Sequence, residues 1–87
     1  MKTSIASTQY QLGAAELEVL LAMVRTGTLA AAGERLGVDA STVFRAIQRI
    51  ERGLGQLLFE RSRAGYRASE LAQALAEQAE RVEAALE

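Results

Sequence analysis

Apolar positions recur at helical spacing through most of the chain. Between residues 14 and 26, Leu17, Leu20, Leu21 and Val24 share one face at a 3.6-residue period. Gly27 ends that helix and Thr28 is placed to cap the next. A second short helix is predicted over 29–36, where Ala30, Ala31, Ala32 and Gly33 permit close approach of a neighbour. Gly37 stops it, Val38 plugs a tight turn, and Asp39 offers a carboxylate to the free amides of a third helix over about 40–52. Val43, Ile47 and Ile50 line the inner side of that helix, and Gly53 and Gly55 frame Leu54 in a C-terminal turn. After Gly55 the period changes. Leu57-Leu58-Phe59-Glu60 and Gly65-Tyr66-Arg67-Ala68 are strand-sized, and Arg61-Ser62-Arg63-Ala64 joins them as a basic turn, so a hairpin is expected over about 57–68. Ser69 then caps a final helix over 70–87, striped by Leu71, Leu75, Val82 and Leu86. Residues 1–12 are polar with scattered Ile5, Tyr10 and Leu12, the pattern of a flexible extension. The expected organisation is therefore an extension over 1–12, a small domain over 13–68, and an appended helix over 69–87.

Composition narrows the chemistry. Of 87 residues, 49% are hydrophobic and 24% charged, which is ordinary for a globular chain. A domain this small buries only about 60% of the surface its unfolded form exposes, so partners often complete it. The sequence has no Cys and no His. Disulfides and thiolate metal sites are excluded, and so is any Ser-His triad. The Asp, Glu and Ser residues form no constellation with a base or metal, so no catalytic residue, metal ligand or cofactor is expected. No apolar run approaches the roughly 18 residues of a membrane span, and the first residues lack a secretory signal. A cytoplasmic protein that acts by binding, away from membranes, is the expectation.

The net charge of −1 hides a segregated distribution. Residues 25–67 carry eight Arg against Glu34, Asp39, Glu51 and Glu60, whereas residues 68–87 carry Arg81 against five Glu. A basic middle followed by an acidic tail creates a local field that the total does not report. Every cation of the middle segment is Arg, whose planar fork suits phosphate and guanine. A solvated helical surface would account for the same charges.

The two short helices joined by a tight Gly-containing turn have the form of a helix-turn-helix. In that motif the second helix enters the major groove while the first braces on the backbone. At about 100° per residue, Ser41, Arg45, Gln48 and Arg52 fall roughly 140–200° from Val43, and Phe44 and Arg49 flank them. This outward face carries Ser, Gln and Arg with no acid at its centre, while Glu51 falls nearer the core side. Such side chains hydrogen-bond base edges and phosphates. Arg61 and Arg63, on the hairpin, would then form a wing reaching toward the neighbouring minor groove. An ordinary three-helix packing unit with an edge ribbon would show the same periodicities.

These residues resemble a known family. Gly27-Thr28-Leu29-Ala30-Ala31-Ala32-Gly33-Glu34-Arg35-Leu36 is followed by Val38, Ser41, Val43, Arg45, Ile47, Ile50-Glu51, Leu54-Gly55 and Leu58-Phe59-Glu60-Arg61. Together they are similar to the DNA-binding domain of LysR-type transcriptional regulators over about residues 13–87. The resemblance implies a mainly α fold: a winged helix-turn-helix of three helices and a small β-hairpin, followed by a long linker helix that dimerises. It implies sequence-specific binding of a double-stranded DNA operator, with contacts from Thr28, Ser41, Thr42, Phe44, Arg45, Gln48, Arg49, Arg52, Arg61 and Arg63. It also implies an effector domain in a longer parent chain, and the unstopped final helix favours an excised piece over a free-standing short relative. Ala40 and Ser41 stand where the family usually has Gln and Pro, and Phe44 where it has a small polar residue, so the operator preference is expected to differ. Phe44 either presses on a thymine methyl or folds back onto the core rim. Ala72 replaces the usual Gly of the linker helix.

Apolar residues left over point to a two-fold partner. Val19 and Met23 lie off the main stripe of the first helix, and Leu71, Leu75, Val82 and Leu86 exceed what one small domain can cover. A homodimer through the C-terminal helix is expected, unless that helix folds back onto its own domain. Two other readings remain open: a winged-helix module that binds protein without reading DNA, and the N-terminal domain of a molybdate-responsive-type regulator.

Overall fold

The computed structural model describes the backbone over residues 12–86 and side chains over residues 12–85. The extension expected over 1–12 lies almost wholly outside the described residues, as does the side chain of Leu86.

Four helices and one hairpin follow in the order α1 (Ala14–Thr26), α2 (Leu29–Leu36), α3 (Ala40–Leu54), β1 (Phe59–Ser62), β2 (Gly65–Ala68) and α4 (Glu70–Leu86). The capping residues act as the sequence implies. The Thr28 hydroxyl accepts from the Ala31 amide at 3.1 Å, and the Ser69 hydroxyl accepts from the Ala72 amide at 3.1 Å. Helix α3 runs one half-turn further than expected. Gly53 and Leu54 stay helical, and Gly55 alone turns left-handed.

What approaches Gly33 is backbone. A side chain there would meet the Val38 carbonyl oxygen at 2.5 Å, while the Val38 amide donates to the Gly33 carbonyl at 2.9 Å. The turn between α2 and α3 is thereby folded directly onto the middle of α2.

Helix α1 is the centre of the molecule. One of its faces puts Leu20 and Met23 into the main core with Ala32, Val43, Ile47, Ile50, Leu58 and Phe59. The adjoining face puts Leu17 and Leu21 against Ala76 and Ala79 of α4, and Val24 touches both clusters. The expectation that Met23 is a surface residue is corrected here: it is only 1% exposed. A single-stripe reading fails for α1 because neighbours surround it on two sides. The expectation for α4 needs the same correction. Its docking face is alanine, with Ala72, Ala76 and Ala79 buried, while Leu71 and Leu75 are half-buried against the domain's own core. Small residues let α4 lie close to α1, and only Val82 of the predicted stripe is shown largely exposed, at 45%.

The hairpin is antiparallel, with Phe59 opposite Ala68 and Ser62 opposite Gly65. Its turn is shorter than the predicted basic loop. Arg61 and Ser62 belong to β1, and Arg63 and Ala64 alone reverse the chain. Neither takes a positive φ; Gly65 absorbs the reversal at φ +137. A side chain at Gly65 would also run into the Gly27 carbonyl oxygen. That oxygen accepts from the Tyr66 amide at 2.8 Å, so β2 is bolted to the turn that precedes α2.

Candidate nucleic-acid interface

The N-terminus of α3 is organised around one carboxylate. Oδ1 of Asp39 accepts from the Thr42 amide at 2.8 Å and from the Ser41 hydroxyl at 3.1 Å. Hydrogen bonding by Thr42, then by Ser41, with a smaller attraction to Arg45, holds this carboxyl below its ordinary value of 3.8. Ser41 and Thr42 are therefore fixed at the exposed tip of the helix. Thr42 also receives a long 3.5 Å bond from Arg45 Nη2, which steers that guanidinium toward the same end.

Beyond the tip, burial divides α3 along its length. Val43, Ala46, Ile47 and Ile50 are buried, while Ser41, Thr42, Phe44, Arg45, Gln48, Arg49 and Arg52 are exposed. Phe44, 41% exposed, stands on the edge of a groove between α3 and the hairpin, lined also by Ile47, Gln48, Arg61 and Tyr66. Arg61 leans over the Tyr66 ring, 5.9 Å from its centroid, and Arg63 stands at the hairpin tip. Thr28 is half-buried, its oxygen occupied by the cap at the start of α2.

Not every Arg of the basic middle is available. Arg25 Nη2 pairs with Glu83 at 3.1 Å and Glu80 at 3.6 Å, both on α4. Arg67 pairs with Glu60 across the hairpin at 3.1 Å. Among the described residues, Arg45, Arg49, Arg52, Arg61 and Arg63 make no ion pair. Five of the unpaired cations thus lie on α3 and the hairpin; the other two among the described residues are Arg35 on α2 and Arg81 on α4.

One participant was not singled out by the sequence pattern. Oε2 of Glu51 accepts from the Leu58 amide at 2.8 Å and the Phe59 amide at 3.2 Å. Its position on the inner side of α3 was readable, but its partners exist only once the chain has turned back at Gly55.

A model of the bacterial regulatory helix-turn-helix proteins of the lysR family matches residues 14–74. The chain belongs to the LysR family. The DNA-binding domain of CbnR, solved in complex with DNA, is 33% identical, with a TM-score of 0.74 over 80% of each chain. Full-length CbnR, a LysR family transcriptional regulator, aligns with the same identity and TM-score, and here the match covers 24% of the CbnR chain. The DNA-binding domain of BenM, in complex with benA site 1 DNA, shares the fold with a TM-score of 0.77 at 20% identity, over 85% of this chain and 83% of that one. No curated protein sequence matches.

The described residues are thus a LysR-type DNA-binding domain with the winged helix-turn-helix architecture that the resemblance implied, α2 and α3 forming the motif and β1–β2 the wing. This family is one of regulators rather than enzymes. Among the described residues, no helix is long and apolar enough to cross a membrane, and no cluster of acidic residues could hold a metal ion.

Proposed function

We propose that this LysR-type domain reads double-stranded DNA as a homodimer, with α3 in the major groove and the wing on the backbone and adjacent minor groove. The observation that carries the reading is the outer face of α3. It holds three Arg, one Gln and two hydroxyls, has no acid, and lies opposite a wholly aliphatic buried face. Arg45, Gln48 and Arg49 reach base edges, with Ser41, Thr42 and Arg52 toward phosphates. Arg61 and Arg63 of the wing and Thr28 at the start of α2 flank them. Phe44, at the groove edge, offers an apolar contact for a thymine methyl.

The dimer forms through α4, with the exposed Val82 as a contact, while Val19, Leu71 and Leu75, half-buried against the main core, support the helices from their own domain. In a longer parent chain an effector domain follows, and the whole acts in the cytoplasm by binding alone. CbnR and BenM domains have been solved on DNA, which supports the partner proposed here.

Selection from a random oligonucleotide pool tests the reading. A two-fold symmetric motif is expected, and Arg45→Ala should weaken its binding by about 1–3 kcal/mol and relax one position. A variant that binds the selected site as tightly as the parent would remove α3 from the groove.

A further inference from the structure

The wing needs a fixed angle to α3 if both are to meet one duplex, and two polar attachments act on it beside the burial of Leu58 and Phe59 in the main core. One is the Tyr66 amide on the Gly27 carbonyl, at 2.8 Å. The other is Glu51. Its side-chain oxygen takes the amides of Leu58 and Phe59, while its backbone carbonyl takes those of Gly55 and Gln56 at 2.8 and 3.3 Å. One residue therefore closes α3, spans the reversal, and holds Leu58 and the first residue of β1. The Leu58 carbonyl is meanwhile occupied by the Ser69 amide at 2.9 Å. Glu51 lies at the junction of the reading helix and the wing and is half-buried.

We propose that Glu51 is a positioning residue for DNA binding: its carboxylate locks the wing to the recognition helix, so that Arg61 and Arg63 reach the phosphates while α3 lies in the groove. This rests on the DNA-binding reading above. The role depends on reach rather than charge. Gln places an oxygen at the same distance and can still accept both amides. Asp keeps the charge but is one methylene shorter and falls short of them.

The test uses the full chain, a random-sequence 30-bp duplex and a salt titration. Each lost phosphate contact lowers the slope of log affinity against log salt by about 1. In the parent, Arg63→Ala should lower the slope by about 1. Glu51→Asp should lower it by about 2, by freeing both wing arginines, and adding Arg63→Ala to it should change nothing further. Glu51→Gln should match the parent. Amide hydrogen exchange at Leu58 and Phe59 should be slow in the parent and in Glu51→Gln, and fast in Glu51→Asp. A general loss of stability would not make the Arg63 effect vanish, nor would Gln rescue it.

The proposal is overturned if Glu51→Gln loses as much slope as Glu51→Asp, or if Arg63→Ala has its full effect in the Glu51→Asp background. An Arg63→Ala effect absent from the parent would take the wing off DNA and the proposal with it. Unchanged exchange at Leu58 and Phe59 in Glu51→Asp would instead refute the lock itself while leaving the wing's DNA contact standing. Should Glu51→Asp not fold, Glu51→Gln alone decides: parental slope and slow exchange support the lock, and a lost slope overturns it.

Discussion

Asp39 sits where the turn passes the chain into α3, and one of its oxygens takes two hydrogen bonds there. Because those bonds favour the ionised form, the folded carboxyl titrates below 3.8. The stabilisation they give is present at pH values above the ordinary 3.8 and is lost as pH falls through the lowered folded value. Asn caps without titrating. The stability difference between the parent and Asp39→Asn, followed by denaturation from pH 7 to pH 2, should therefore stay constant above about pH 4 and shift against the parent below it. A difference that is flat across the whole range would detach the cap from the carboxylate's charge. The Thr28 hydroxyl does the same for α2 without titrating, so Thr28→Ala should lower stability by about 1 kcal/mol at any pH, read by urea unfolding.

At the level of elements, the contact between α2 and the following turn gives the sharpest expectation. Ala is a better helix former than Gly by about 1 kcal/mol, so Gly33→Ala would stabilise an isolated α2. Here the new methyl meets the Val38 carbonyl oxygen at 2.5 Å. The net change should be destabilising, and a raised melting temperature would show that the turn can move away. Helix boundaries were readable from sequence because Thr28, Asp39, Ser69 and the terminating glycines each act within three or four residues. The outward face of α3 was readable because one side of that helix is strictly aliphatic. What the sequence hid depended on distant partners. Met23 looked exposed because periodicity assumes one buried face, whereas α1 has two. Arg61 and Ser62 looked like turn residues because they are polar, yet both continue β1 on an exposed ribbon. Ala72, Ala76 and Ala79 lie outside the leucine and valine stripe that periodicity picks out and are buried only through the packing of α4 on α1, and the amides that Glu51 holds lie seven and eight residues away.

Over the whole molecule, the charges sort themselves by pairing. Arg25 is drawn to Glu80 and Glu83, so the acidic helix pairs with an Arg of the middle segment and leaves the cations of α3 and the wing unopposed. These side chains are half open to water, and pairs of that kind contribute about 0–1 kcal/mol. Arg25→Ala should lower stability within that range, and the loss should shrink in 0.5 M salt, as measured by urea unfolding. A loss well above it would mean that the pair sets the angle of α4. The position of α1 has a larger consequence. Because the same thirteen-residue helix supplies one wall to each of two apolar clusters, the core beneath the reading helix and the seat of α4 depend on one element. Loss of α1 should therefore open both clusters at once, and α4 is seated on the same helix that backs the reading helix.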